Sequence, residues 1–464
     1  MPYQSDTGNA RIALTGDSLI TRPMSPFSEP RFLQLVELLR GADASITNAE
    51  MLFHDYEDAP TLAPGGTYMR ASPKMLDELR WLGIDMLATA NNHSYDYGEN
   101  GVVTNLNNIE RSGLVYAGTG INMGRAREPR YLDTPAGRVA LVAVTSTAPQ
   151  ALYAGEQWRD GLGRPGANML RYTSEYTVPK HVFDAFREMR DAFGLVKRLR
   201  AGNSGHRDHA WGMVQMADTD SNFYMGSLQH TWQYPIPDGA RIALGDDYGL
   251  TLTAEPGDVD ANLQRIRDAR RMADIVVVSV HSHEQGASKD DPAQFMIDFS
   301  RSAIDAGADI VHGHGPHRDR GIEIYNGRPI FYSLGHFVHQ NATIERMALD
   351  NLRRQGLDRW EATPADFADT RWGREEEGEL LGLAEEWTAW HDAVAVVEFA
   401  AGLPKRIVLH PIELGYRRPR GQRGRPILAE PKVGTEIVEM FRRLSKPYGT
   451  AVRSEGETGI IDIA

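Results

Sequence analysis

The chain contains no cysteine among its 464 residues. That absence removes disulfides, zinc-thiolate sites and thiol nucleophiles together, so any metal must sit on His, Asp, Glu and Asn. No window reaches the ~18 consecutive apolar residues of a membrane span. An excess of positive charge is missing as well: 50 Lys and Arg stand against 63 Asp and Glu, a formal net charge of -13. Such a field opposes nucleic acid. The first residues, Met1 to Gly8, lack a basic region followed by an apolar segment, and no tandem repeat of fixed period is visible. The expectation is a cytoplasmic protein that engages neither nucleic acid nor membrane, with its oligomeric state open.

With 41% hydrophobic and 24% charged residues, the composition is that of an ordinary globular chain, long enough for one large domain or two. One pattern recurs: an apolar, β-rich run ending in polar side chains. Ala10 to Asp17 is the first, and Ala44 to Glu50 the second. Ile84 to His93 is the third, followed by turn chemistry in which Asp96 lies close enough in sequence to orient an imidazole. Ala273 to Glu284 ends in His281 and His283, two residues apart and therefore on one side of an extended chain. Ala308 to His317 carries His312, His314 and His317 beside two glycines, and Gly327 to His336 reads as a further strand. In an α/β protein the carboxyl ends of strands are where ligands bind. Taken alone, Asp17 reads equally as a ligand or as a turn aspartate.

Between these runs the spacing predicts helices over Pro30–Arg40, Ser72–Leu82, Asn105–Gly113, Val259–Met272, Pro292–Gly307 and Gly434–Ser445. Gly118-Thr119-Gly120 reads as a loop. Gly137–Ser146 is nearly continuous in apolar residues, as in a sheet covered on both faces. Residues 1–150 and 259–464 read as two halves of one domain, and 151–258 as an insertion that sets substrate choice. That insertion holds one helix around Val182 to Arg200 and the isolated histidines His181, His206, His209 and His230. Residues 341–390 form a charged, helical excursion, and Asp392–Phe399 with Arg406–Glu413 a closing pair of strands.

Six motifs in order at strand ends carry a resemblance. They are Gly16-Asp17, Asn48-Ala49-Glu50, Ala90-Asn91-Asn92-His93 with Asp96-Tyr97-Gly98, Val280-His281, Gly313-His314 with Pro316-His317, and Tyr332-Ser333-Leu334-Gly335. In these the chain resembles the CapA family, poly-γ-glutamate biosynthesis proteins within the calcineurin-like metallophosphoesterase superfamily. The resemblance covers about Arg11 to Val338 and is interrupted by the insertion.

It implies a four-layer α/β sandwich of two central sheets flanked by helices. It also implies a centre of one or two divalent ions (Mn, Zn, Fe, Mg or Ca) held by Asp17, Glu50, Asn92, His281, His314 and His317. Glu50 would bridge, and His93 would be the general acid, oriented by Asp96. This chain departs from the family pattern at Ser282-His283 and at His336, which add two imidazoles, while His312 takes a usually apolar position. Asp17 is followed by Ser18-Leu19, so the Asp-x-His of phosphodiesterases in the superfamily is incomplete. The expected function is metal-dependent hydrolysis of an amide or peptide bond (γ-glutamyl-like), or of a phosphoester, in a small-molecule or peptide substrate. Two alternatives stay open: a peptide epimerase in which His93 and His283 or Asp17 exchange an α-proton, and a polymer-binding module. Arg70, Arg318 and Arg320 are candidate clamps for a substrate carboxylate.

Overall fold

The computed structural model describes residues 8–62, 64–149, 152–192, 219–224, 241–374 and 379–463. The chain forms two compact units, Met1–Leu170 with Gly257–Ala464, and Arg171–Pro256. The first is an α/β body with two large sheets. The longer sheet runs in the order Arg453–Glu455, Thr458–Asp462, Leu403–Glu413, His391–Ala400, Ala10–Leu19, Ala44–Ala49, Met86–Ala88, Val115–Ala117, and His336–His339 pairs with Ala10–Leu19 off this path. The other runs Ile322–Tyr325, Arg328–Phe331, Ile310–His314, Ile275–His281, Gly137–Thr145, Arg130–Thr134.

One apolar core joins the two sheets. Ile12, Leu14, Ile46 and Met86 from the first meet Leu141, Val277, Ile310 and Phe331 from the second. Because side chains alternate along a strand, the neighbours Ala13, Leu87, Val394 and Val396 face the other way, into a core shared with helices. Pro30–Arg40 begins on a proline and buries Phe32, Leu35, Val36 and Leu39, the i, i+3, i+4, i+7 stripe. Lys74–Leu82 buries Met75, Leu76, Leu79 and Leu82 and stops at Gly83, whose φ of 103° suits glycine.

Within each sheet, the strands that carry the polar ends run parallel. Ala10–Leu19 is parallel to Ala44–Ala49, which is parallel to Met86–Ala88; Ile275–His281 is parallel to Gly137–Thr145 and Ile310–His314. Their carboxyl ends therefore collect polar side chains, as a parallel sheet requires.

Several local expectations change. Gly327–His336 is not one strand: Arg328–Phe331 belongs to the second sheet, and the chain then crosses at Tyr332–Gly335 so that His336–His339 pairs in the first. Uniform apolarity cannot reveal such a switch. Thr119–Gly120 is not a free loop but pairs with Gly166–Ala167. In Ile310–His314, strand geometry continues through both His312 and His314. Among the described residues of 341–390, α-helix is confined to Leu349–Arg354 and Pro364–Trp372, the latter started by a capping box between Thr363 and Asp366, with short 3-10 turns at Asn341–Thr343, Gly382–Ala384 and Trp387–Ala389. The acidic run at 375–378 lies outside the described residues.

The second unit is a four-stranded sheet in the order Asn222–Tyr224, Arg241–Leu244, Tyr172–Val178, Gly249–Ala254, with the helix Lys180–Ala192. Phe183, Phe223 and Ile242 form its small core. The remainder of the helix expected to Arg200, from residue 193, lies outside the described residues. Among the described residues no helix is long and apolar enough to cross a membrane.

Candidate metal centre

Asp17 sits where the first strand is irregular. Its register shifts against both neighbours, between Leu14 and Asp17 on one side and between Asp17 and Ser18 on the other. Such bulges re-aim side chains. Gly16 approaches the Gly335 carbonyl so closely that a Cβ would collide with it, and the Asp17 amide donates to that carbonyl at 2.8 Å. The carboxylate is fully buried. It accepts from Asn48 Nδ2 at 2.7 Å and from the Gly315 amide at 3.2 Å.

Around it stand the imidazoles. Asp17 Oδ1 lies 3.3 Å from His314 Nδ1 and 3.9 Å from His281 Nδ1, and Oδ2 lies 3.5 Å from His317 Nδ1. Glu50 Oε1 is 3.9 Å from His281 Nε2, and Oε2 is 3.8 Å from His317 Nδ1. His281 Nδ1 is 3.1 Å from His314 Nδ1, and its Nε2 is 3.1 Å from His283 Nε2. The donors thus fall into two groups, Asp17 with His281 and His314, and Glu50 with His283 and His317. His317 takes a left-handed φ of 58° to reach its place. For a non-glycine residue that costs about 1–2 kcal/mol, and such outliers collect where geometry serves a site.

The electrostatics of the cluster are those of buried groups that could hold a cation. Burial raises the Asp17 carboxyl, but the imidazoles of His314 and His317 beside it outweigh burial and hold Asp17 well below the usual carboxylate range. Glu50 is pushed well above its ordinary value, by burial first and by the charge of Asp17 second. Burial, then His283, pushes His281 well down; burial, then His317, pushes His283 to about 3. Both oxygens of Glu50, Nδ1 of His317 and Oδ1 of Asn92 are buried with no hydrogen-bond partner. A buried carboxylate in that state is strongly penalised. Ring nitrogens 3.1 Å apart beside unpaired carboxylate oxygens fit a divalent cation, and an all-oxygen-and-imidazole set suits a hard or borderline one. The residues present therefore fit the group.

His93 stands at the edge of this cluster. Its Nδ1 donates to Asp96 Oδ2 at 2.7 Å, and both residues are buried. The preceding Asn92 donates from Nδ2 to the Gly65 carbonyl at 3.0 Å. Asn91 ties two strand ends together, since its Nδ2 donates to Asn48 Oδ1 and to the Ala49 carbonyl while its Oδ1 accepts from the His93 amide.

Of the other expected residues, His312 is packed: it is fully buried and its Nε2 donates to the Thr15 carbonyl at 2.9 Å. His336 lies in register with Asp17, stacked on His317 with centroids 4.6 Å apart and on His339 at 3.9 Å, while His339 stacks on Trp390 at 4.7 Å. Arg318 is occupied by ion pairs to Asp290 at 3.2 Å and Glu386 at 3.0 Å. Arg70 is buried with its guanidinium carbon 3.3 Å from the Tyr56 ring centroid, and the buried Arg320 donates from Nε to the Lys289 carbonyl at 3.3 Å. His181 is exposed on the helix of the smaller unit; His206, His209 and His230 lie outside the described residues.

Sequence reasoning passed over three features. One is the buried carboxyl pair Asp319 and Asp392, beneath Gly335 and Gly16. Another is the stacked imidazole of His339. The third is the Pro64-Gly65-Gly66 turn, whose glycine chemistry was visible but whose partners lie 27 residues away.

Residues 11–341 match the family model described as bacterial capsule synthesis protein PGA_cap, a span that takes in every strand end of the centre. The uncharacterized protein y4sH of Sinorhizobium fredii is 31% identical over 464 residues, 97% of this chain and 92% of its own, so the likeness includes the smaller unit. The PGA biosynthesis protein CapA of Bacillus subtilis is 41% identical over 116 residues, 24% of this chain and 30% of its own, a local likeness. A probable polyglutamine synthesis accessory protein of Mycobacterium tuberculosis is 23% identical over 269 residues, 58% of this chain and 49% of its own.

Proposed function

Because the chain belongs to the bacterial capsule synthesis protein family PGA_cap, and because its buried carboxylates and imidazoles gather into two donor groups, we propose that it is a metal-dependent hydrolase. Its substrate is a small molecule or peptide, and the bond cleaved is an amide or peptide bond, γ-glutamyl-like in kind, ahead of a phosphoester. The observation that carries the reading is Glu50, whose two buried oxygens have no partner while His281 and His317 stand 3.9 and 3.8 Å away. The two sheets and their helices are read as a four-layer metallophosphoesterase-like sandwich.

Asp17, Glu50, Asn92, His281, His314 and His317 would hold one or two divalent ions, with His283 beside Glu50 as a further donor. When bound, such an ion supplies Lewis acidity that acidifies water and polarises the scissile bond. The chain's own residues do the rest. His93 gives a proton to the leaving group from Nε2, because Nδ1 is engaged by Asp96. Asp96 fixes the orientation and tautomer of the ring, the role of the carboxylate in a triad. Burial of the centre excludes bulk water and strengthens every electrostatic interaction in it.

The epimerase alternative needs a base opposite His93. His283, pushed to about 3 by burial and then by His317, and Asp17, held well below the carboxylate range, are both poor proton acceptors at neutral pH. Amide chemistry is favoured over phosphodiester chemistry because Ser18-Leu19 follow Asp17 where a second histidine is expected. The test is turnover of a γ-glutamyl amide and a generic phosphodiester by protein stripped with chelator and then reloaded with single metals. Activity that survives complete stripping would sink the reading.

A further inference from the structure

The loop Pro64–Met69 reaches Asn92, His93 and Asp96 at the third strand end. Asp96 takes the Gly65 amide on Oδ1 at 2.9 Å and the Met69 amide on Oδ2 at 2.7 Å, and its carbonyl takes the Thr61 amide at 2.9 Å. The Gly65 carbonyl accepts from Asn92 Nδ2 at 3.0 Å. A carbonyl can only accept, so this bond decides which way the Asn92 amide faces. Its oxygen is left buried and without a partner, available to a cation.

The two glycines of the loop differ in what they require. At Gly65 a Cβ would collide with the Asn92 carbonyl, so close packing alone demands glycine. Gly66 has no such demand. Its φ is not left-handed, and a Cβ built there meets only His93 Cε1 at 3.5 Å and His93 Nε2 at 3.8 Å, ordinary van der Waals distances. Packing tolerates alanine, yet the methyl would rest on the one ring nitrogen that Asp96 leaves free. Asp96 and the Gly65 carbonyl hold the loop in this place, so it cannot swing aside without releasing His93 and Asn92.

We propose that Pro64–Met69 is the positioning and specificity element of the centre, orienting Asn92 and His93 while Gly66 keeps open the space through which a leaving group reaches His93 Nε2. The proposal rests on the hydrolase reading for the identity of the leaving group. Its steric content, that Gly66 controls access to His93 Nε2, does not depend on it.

The test is Gly66→Ala in the full chain, followed in two ways. The first is the rate at which diethyl pyrocarbonate modifies His93, read by peptide mass spectrometry. The second is hydrolysis of γ-glutamyl methylamide against γ-glutamyl p-nitroanilide. Metal stoichiometry and melting temperature are expected to match the parent. Modification of His93 is expected to slow about tenfold, and kcat on the anilide to fall at least about tenfold, more than on the methylamide, the scale of one methyl group in a shaped pocket. Equal modification rates in parent and variant overturn the proposal, as does a parent whose His93 does not react. A variant that loses metal or melts lower also overturns it, because Gly66 would then be structural. If neither amide is turned over by the parent, the hydrolase reading fails by itself and the modification rates still decide the matter.

Discussion

Oδ2 of Asp96 lies 2.7 Å from Nδ1 of His93, and the same oxygen takes the Met69 amide at 2.7 Å. One atom thus sets the tautomer of the ring and anchors the loop in front of it. Replacing Asp96 by Asn puts an amide NH2 at one of these acceptor positions and breaks the match whichever way it turns. The expected outcome for Asp96→Asn is a kcat lower by about 10³-fold, since a wrong tautomer costs up to about 10⁴-fold in comparable triads. Steady-state kinetics with bound metal measured in parallel check it. A loss below about threefold would remove Asp96 from the mechanism.

Glu50 offers a second prediction, because its environment treats the empty and filled centre differently. Burial and the charge of Asp17 push its carboxyl well up, so without a cation the neutral form is favoured. Gln resembles that neutral form in shape. Glu50→Gln is therefore expected to leave the melting temperature of chelator-treated protein unchanged or raised, while weakening metal binding at least about 100-fold, beyond the usual effect of residues that only orient ligands. The stabilisation that saturating metal confers on the parent, about 2.7 kcal/mol at a hundredfold excess over Kd, would fall to about 0.4 kcal/mol or less at the same metal concentration. Calorimetric scans with and without metal measure both halves.

Much of the centre was legible because its residues end strands. Asp17, Glu50, His281 and His314 each follow an apolar run, and parallel pairing brings the ends together. Pro30–Arg40 was legible to the residue because proline opens it and the stripe is regular. Other parts depend on contacts with no local trace. His336 looked like the end of one strand, yet the chain changes sheets after Phe331, which brings His336 into register with Asp17. The Gly98–Ser112 helix starts seven residues before its expected Asn105: its first turn, Gly-Glu-Asn-Gly, has little helix propensity, and there the Gly101 amide donates to the Tyr97 carbonyl at 3.1 Å. The loop at Gly65 and Gly66 carries turn residues only, and its meaning lies in bonds to Asn92 and Asp96.

Buried histidines make the third prediction. His283, His312 and His336 are each pushed to about 3, by burial first, then by His317 for His283 and His336 and by His314 for His312. The unfolded chain binds these protons near pH 6.5 and the folded chain does not. Their contribution to stability is therefore complete above about 6.5 and is lost as pH falls from there towards about 3, by about 1.4 kcal/mol per unit for each histidine. Urea titrations of chelator-treated protein between about pH 8 and about pH 5 are expected to show stability falling as pH is lowered below about 6.5. Titration of the three rings by NMR over the same range, which the buried carboxyls of opposite sign do not obscure, decides the matter: a ring that takes up a proton near pH 6.5 is not buried neutral.

Asp392 makes the last prediction, with the opposite sign. Burial pushes its carboxyl up to about 6, and its neighbour Asp319 is raised well above the ordinary value by burial and by the charge of Asp392. For a raised carboxyl the unfolded chain loses its proton first, so stability is unaffected below about 3.8 and decreases as pH rises from there to about 6. At about 1.4 kcal/mol per unit the penalty reaches a few kcal/mol at neutral pH. Asp392→Asn keeps an oxygen to accept from the Ala393 amide, which Oδ1 does at 2.6 Å, and removes the charge. The variant is expected to be more stable than the parent at about pH 7 and no more stable at about pH 4. Because the three histidines titrate identically in parent and variant, they cancel from the difference, and the difference curve isolates the carboxyl pair. Equal stability at both pH values would mean that Asp319 and Asp392 share no penalty.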